Sequence, residues 1–194
     1  SEDEPRCFVD AVVLEELADR RIGTLLAGRY QLERKLGEGG MAIVYRARKQ
    51  LVDRPVALKV MKWTLTGKAA LAERFQREAK TLARLAHPNI VTLHDFGVDE
   101  TVKGAGDGML YLAMELLPGE TLGERIRREH AIAPAMTVPI VRDIASGLSV
   151  AHQNGLVHRD LKPENVMLVQ TAGRGTLAKI LDFGIAKAVA KKGR

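Results

Sequence analysis

From Tyr30 onward the chain alternates short apolar runs with Gly, Asp or Pro. YQLERKL (30–36), AIVYRAR (42–48) and PVALKVM (55–61) each last a few residues before such a break. That pattern predicts three strands in an antiparallel meander. Between about Ala70 and Leu85 the period lengthens: Leu71, Phe75, Ala79, Leu82 and Ala86 fall on one face at helical spacing. His87, Pro88 and Asn89 close that helix. IVTLHDFGV (90–98) and MLYLAMELL (109–117) read as two more strands, joined by the Gly-rich TVKGAGDG. Beyond Pro118 and Gly119 the pattern turns helical, in TLGERIRRE (121–129) and then TVPIVRDIASGLSVAHQ (137–153), which Asn154 and Gly155 stop. Ahead of the strands, SEDEP is acidic. Phe8 to Arg21 can form a short amphipathic packing or linker helix, with Val9, Val13 and Leu17 on one side. Strands with one helix, followed mainly by helices, predict a segregated α+β protein of two lobes.

Composition narrows the class. The 194 residues suffice for one large domain or two small lobes, and 46% hydrophobic with 28% charged residues is ordinary for a globular protein. The net charge of +6 suits a solvated basic surface or a few lysines placed for phosphate. Aromatics at 4%, with no basic run interleaved among them, argue against a nucleic-acid stacking platform. A single cysteine, Cys7, excludes an internal disulfide framework and suits a reducing, cytoplasmic setting. No apolar run reaches the length of a membrane span and no secretory signal opens the chain, which begins at Ser1 as a fragment or processed form would.

The candidate chemistry lies in five places. GEGGMAIV leads from one strand into another, so Gly37, Gly39 and Gly40 can let backbone N–H groups approach phosphate oxygens. Alone it is more often a plain hairpin turn; no helix follows as a Rossmann fingerprint needs, and the Gly-Lys-Ser/Thr of a Walker A loop is absent. In VALK, alternation sets Ala57, Lys59 and Met61 on one strand face and Val56, Leu58 and Val60 on the other. Lys59 is either a snorkelling edge lysine or a paired, costly interior one. Glu78 falls in the apolar stripe of the helix, flanked by Leu82 and Leu85, and either reaches solvent or takes Lys59 as its cation. In VHRDLKPENVML, Asp160, Lys162 and Asn165 crowd one loop, offering a base, a cation and an amide to one centre. ILDFG then sets Asp182 at a strand end, a good place for a Mg²⁺ carboxylate.

An HRD-x-x-x-x-N followed by DFG, after the glycine turn, the strand lysine and the helix glutamate, all in order, resembles a protein kinase, and among these the bacterial eukaryotic-like serine/threonine kinases. The resemblance runs from about Tyr30 to Lys187. It implies a small lobe over 28–117, with a five-stranded antiparallel sheet and one helix, and a partial, mainly helical large lobe over 118–194, after an extension at 1–27. The phosphoryl-transfer roles it implies are those of the general template for the family. Gly37, Gly39 and Ala42 hold the loop's small-residue positions, Ala42 standing where many relatives have glycine. Lys59 binds the α- and β-phosphates of ATP and pairs with Glu78. Met114 is the gatekeeper, Glu115 to Leu117 form the hinge that reads adenine, and Val44, Ala57 and Met167 sandwich the base. Asp160 deprotonates the attacking hydroxyl, Lys162 neutralises the γ-phosphoryl group, and Asn165 and Asp182 hold Mg²⁺. KPEN after Asp160 favours protein Ser/Thr hydroxyls as substrate over tyrosine, and DFG in place of D-x-D argues against small-molecule phosphotransferases.

LDFGIAKAVAKKGR ends about ten residues after the DFG. Set against the resemblance, the expectation is a kinase cut short in its activation segment, with nucleotide parts complete and the protein-substrate platform missing. On that expectation part of the apolar face of the long helix, formed by Val141, Ile144, Ala145, Leu148 and Ala151 with Val138 and Ile140 adding to it, is exposed. The competing class is a nucleotide-binding regulatory module that transfers no phosphate unaided.

Overall fold

The computed structural model describes residues 19–64, 69–99, 108–173 and 175–184, with side chains for all of these but 63–64 and 69–72. The expected helix over Phe8–Arg21 lies outside them except for its last three residues. Six strands form the first sheet: β1 (Leu25–Leu26), β2 (Tyr30–Glu38), β3 (Ala42–Lys49), β4 (Arg54–Thr64), β5 (Leu93–Asp99) and β6 (Met109–Glu115). They lie in the order β1-β2-β3-β4-β6-β5, every pairing antiparallel. The expected five strands are there, and the two-residue β1 adds an edge to β2. One sheet face carries Tyr30, Leu32, Ile43, Tyr45, Val56, Leu58, Val60 and Tyr111, all buried. Their period of two is the alternation read from VALKVM.

The opposite face packs on α1 (Ala69–Arg84), which contributes Phe75, Ala79 and Leu82 to a core shared with Met61, Leu110 and Leu112. Leu85, just past the helix, joins that core, whereas Ala86 is exposed. The same core runs on through Ile90, Leu93, Ala151, Leu156, Ile180 and Phe183, so one apolar interior joins the two lobes. The second sheet is β7 (Glu120–Thr121), β8 (Val166–Thr171) and β9 (Gly175–Ile180), in that order and antiparallel.

Two helices lie between β7 and β8. In α2 (Leu122–Glu129) the Thr121 hydroxyl accepts the Glu124 N–H and the Glu124 carboxylate accepts the Thr121 N–H, a closed capping box. The longer α3 (Pro134–Gln153) starts three residues before the expected Thr137, because Pro134 is preset for the first helical position and needs no N–H partner there. Its Ile140 and Ala151 are buried, while Val138 and Val141 are exposed. Ala145 is exposed too.

The run expected as a strand from Ile90 begins pairing within its sheet only at Leu93. Residues 89–91 instead serve β9: Val91 N–H donates to the Ile180 carbonyl and Ile180 N–H to the Asn89 carbonyl, each at 2.9 Å. The buried Asn89 amide adds a bond to the Ala178 carbonyl, also 2.9 Å. This seam sets the two sheets edge to edge, and Gly147 of α3 packs into it: an added Cβ would stand 3.0 Å from the Asn89 carbonyl oxygen. Among the described residues no helix is long and apolar enough to cross a membrane.

Candidate active site

The glycine turn joins β2 to β3, closed by a 2.9 Å bond from Gly39 N–H to the Ala42 carbonyl. A Cβ built on Gly37 or Gly40 would meet nothing within 4 Å, and on Gly39 only the Ala42 oxygen at 3.9 Å. None of the three has the positive φ that favours glycine. Neither packing nor backbone strain therefore demands glycine here; the bare backbone is open to an approaching ligand. Glu38, at the tip, is held by Lys62 (2.6 Å) and Lys35 (2.9 Å), which bring its carboxyl down to about 2.

Below the turn, Val44 pairs in register with Lys59, and Ala57 with Met114. Val44, Ala57, Met114, Leu117 and Met167 are all half-buried. Lys59 is 8% exposed and its ammonium is bonded to the Asp182 carboxylate. Asp182 follows β9, whose continuation at Leu181 donates its N–H to the Asn165 carbonyl at 2.9 Å. Asn165 in turn donates its amide to the Asp160 carbonyl at 2.8 Å, and Lys162 Nζ lies 3.7 Å from Asp160 Oδ2. The structure thus brings Lys59 to Asp182, and Asp160 to Lys162 and Asn165.

It does not bring Lys59 to Glu78. The Glu78 carboxylate, 12% exposed, lies against Arg159 at 2.8 and 3.0 Å, and Arg74 reaches it at 3.3 Å from one turn earlier in α1. The expected pair is replaced because two acids and several cations meet here. Arg159, with φ at +60°, presents its guanidinium to α1, and Asp182 takes the lysine. Arg159 was legible in the HRD run but carried no assigned role; Arg74 was legible as an i, i+4 partner of Glu78.

Packing fixes the loop around Asp160. His158 is buried, its ring 4.9 Å from that of Phe183, and its Nδ1 accepts the Asp160 N–H at 3.3 Å. Gly184 N–H donates to the His158 carbonyl at 2.9 Å. Burial holds the imidazole below its ordinary value, Asp182 and Asp160 only partly opposing it. Next to Met114, Glu115 accepts the Thr92 N–H at 2.7 Å and the Lys179 ammonium, an arrangement no sequence pattern had flagged.

Among the described residues no three His, Cys, Asp or Glu side chains cluster as a metal cage. Asp182 and Asn165 offer one carboxylate and one amide. So sparse a set fits Mg²⁺, which keeps its waters and shares phosphate oxygens with a substrate.

A family model for the protein kinase domain matches residues 30–194. The chain belongs to the protein kinase family. This kinase domain is 43% identical over 169 residues to the serine/threonine-protein kinase pkn3 of Myxococcus xanthus, a match covering 87% of this chain and 30% of that protein. It is 38% identical over 168 residues to the serine/threonine-protein kinase PrkC of Bacillus subtilis, covering 87% and 24%. The crystal structure of the PknI kinase domain of Mycobacterium tuberculosis superposes with a TM-score of 0.69 at 35% identity, covering 84% of this chain and 62% of that one. The two-lobed α+β arrangement is thus the kinase fold. The chain spans between about a quarter and two fifths of the length of the curated relatives it matches.

Proposed function

We propose that this kinase domain catalyses Mg²⁺-dependent transfer of the γ-phosphoryl group of ATP to serine or threonine hydroxyls of proteins, in the cytoplasm. The observation that carries it is the single polar chain Lys59–Asp182 and Leu181–Asn165–Asp160–Lys162 beneath an open glycine turn. In this reading the half-buried Val44, Ala57 and Met167 hold the adenine against the backbone of 115–117, with Met114 behind it. Gly37, Gly39, Gly40 and Ala42 leave the loop backbone free for phosphate oxygens, and Lys59 supplies the ammonium for the α- and β-phosphates. Asp160 accepts the proton of the substrate hydroxyl. That oxygen forms a bond to the γ-phosphorus as the bond between the γ-phosphorus and the bridging oxygen breaks, and ADP leaves with the electron pair. Lys162 stabilises the charge on the transferring group. Mg²⁺, held through Asp182 and Asn165, would neutralise the phosphates.

The test is paired. A fluorescent ATP analogue should bind with Mg²⁺ and lose most of that metal dependence in Asp182→Ala. Asp160→Asn should keep nucleotide affinity while transfer of label to a serine-containing protein falls by about 10²–10⁴-fold. Binding indifferent to metal and to Asp182→Ala refutes the nucleotide site. Binding without any transfer by the wild type leaves the regulatory-module reading in its place.

A further inference from the structure

The Lys179–Glu115 ion pair takes no part in that reaction, yet it spans both sheets. Glu115 ends β6 one residue past Met114, and Lys179 on β9 lies in register with Met167 on β8. In the nucleotide-binding reading, on which this inference rests, Glu115 begins the hinge and Met167 is the opposite wall of the base slot. The pair therefore ties one wall to the other.

The carboxylate is held from two sides. It accepts the Thr92 N–H at 2.7 Å and the Lys179 ammonium at 2.5 Å, while Glu115's own N–H donates to the Thr92 carbonyl at 3.0 Å. The two side chains are only 13% and 21% exposed, against 63% and 49% for a surface pair such as Arg127–Glu164. Burial alone would raise the Glu115 carboxyl; Lys179 and the Thr92 amide outweigh it and hold the group below its ordinary value. A pair this desolvated resists separation, since either partner left alone is a buried charge. Thr92 directly follows the 89–91 seam that is bonded to β9. Seam, hinge and opposite wall thus form one closed circuit.

We propose that Lys179 is a positioning residue for the nucleotide: through Glu115 it fixes the spacing between the hinge backbone and Met167, and with it the preference for adenine. Adenine and guanine present opposed donor and acceptor edges. A backbone reader tells them apart only while its own groups are held to a fraction of an ångström.

The experiment titrates Mg-ATP, Mg-GTP and inorganic tripolyphosphate with Mg²⁺ by calorimetry into the full chain, with Lys179→Met, Lys179→Arg and Glu115→Gln as variants. Lys179→Met should narrow the ATP over GTP affinity ratio by about tenfold or more, mainly through weaker ATP binding. Tripolyphosphate, which has no base, should bind all proteins alike. Lys179→Arg should restore most of the ratio. Glu115→Gln, which keeps the Thr92 bond and removes only the ion pair, should narrow it as Lys179→Met does, and serves if the latter fails to fold. An unchanged ratio in Lys179→Met and Glu115→Gln overturns the proposal, as does an equal loss of tripolyphosphate binding, which would mark a general structural role. A wild type that binds none of the three fails the nucleotide reading itself, and a wild type that binds all three without distinguishing ATP from GTP fails this proposal alone.

Discussion

Glu78→Gln tests which cation the α1 carboxylate serves. The substitution keeps shape and one acceptor oxygen while removing the charge. Glu78 lies 2.8 and 3.0 Å from Arg159 and 3.3 Å from Arg74, at 12% exposure. Charge-assisted hydrogen bonds contribute roughly 1.5–3 kcal/mol when shielded. Arg159 is 35% exposed, so solvent screening brings the value to the bottom of that range or just below it, about 1–2 kcal/mol. Two double-mutant cycles, read as urea midpoints at a common m-value, separate the possibilities. Glu78→Gln with Arg159→Gln should be non-additive by about 1–2 kcal/mol, whereas Glu78→Gln with Lys59→Met should add within about 0.3–0.5 kcal/mol. Coupling of Glu78 to Lys59 above about 1 kcal/mol, with Arg159 additive, would refute the pairing described above. Run again in saturating Mg-ATP, the cycles should show coupling passing from Arg159 to Lys59, the pairing that the kinase resemblance implies.

Acid should cost this protein stability through His158. Burial sets its folded pKa below the ordinary 6.5, so the unfolded chain binds the proton more readily and stability falls as pH drops through about 6.5. His158→Gln should flatten that part of a melting-temperature profile between about pH 7.5 and 5.5, and an unaltered slope would rule the histidine out as its source. Gly147→Ala should lower the stability read from the urea midpoint by about 1–3 kcal/mol, because the new methyl meets the Asn89 carbonyl at 3.0 Å and Ile180 at 3.1 Å in the interlobe seam. Unchanged stability there would mean the seam yields easily.

The strands were legible because their burial alternates. Val56, Leu58 and Val60 are buried against one side of the sheet, and Met61 faces α1, as period two requires. The α1 stripe was legible through Phe75, Ala79 and Leu82 for the corresponding reason at period 3.6. What escaped is what depends on a partner distant in sequence. Ile90 and Val91 read as strand and do bond like one, but to β9 some ninety residues on, in a parallel contact that no local pattern encodes. The pairing of Lys179 with Glu115 likewise exists only once the two sheets meet.

The Glu78 case is more instructive, since the reasoning from cost was sound and the partner still differed. A lysine and a glutamate in apolar surroundings must each be satisfied, and each is. Cost fixes that a partner exists, but several pairings meet it when Arg74, Arg159 and Lys59 share two carboxylates. The observed choice turns on the left-handed backbone at Arg159, which a non-glycine residue holds only under tertiary constraint. Exchanging partners is then a closed problem. If Glu78 moves to Lys59, Asp182 and Arg159 both lose a counter-charge, so the exchange is opposed unless something replaces them. A divalent cation at Asp182 would supply the first, and phosphate oxygens at Lys59 would keep that ammonium in place with donors to spare for Glu78. The ligand that the proposed reaction needs is therefore also the one whose charges make the exchange affordable.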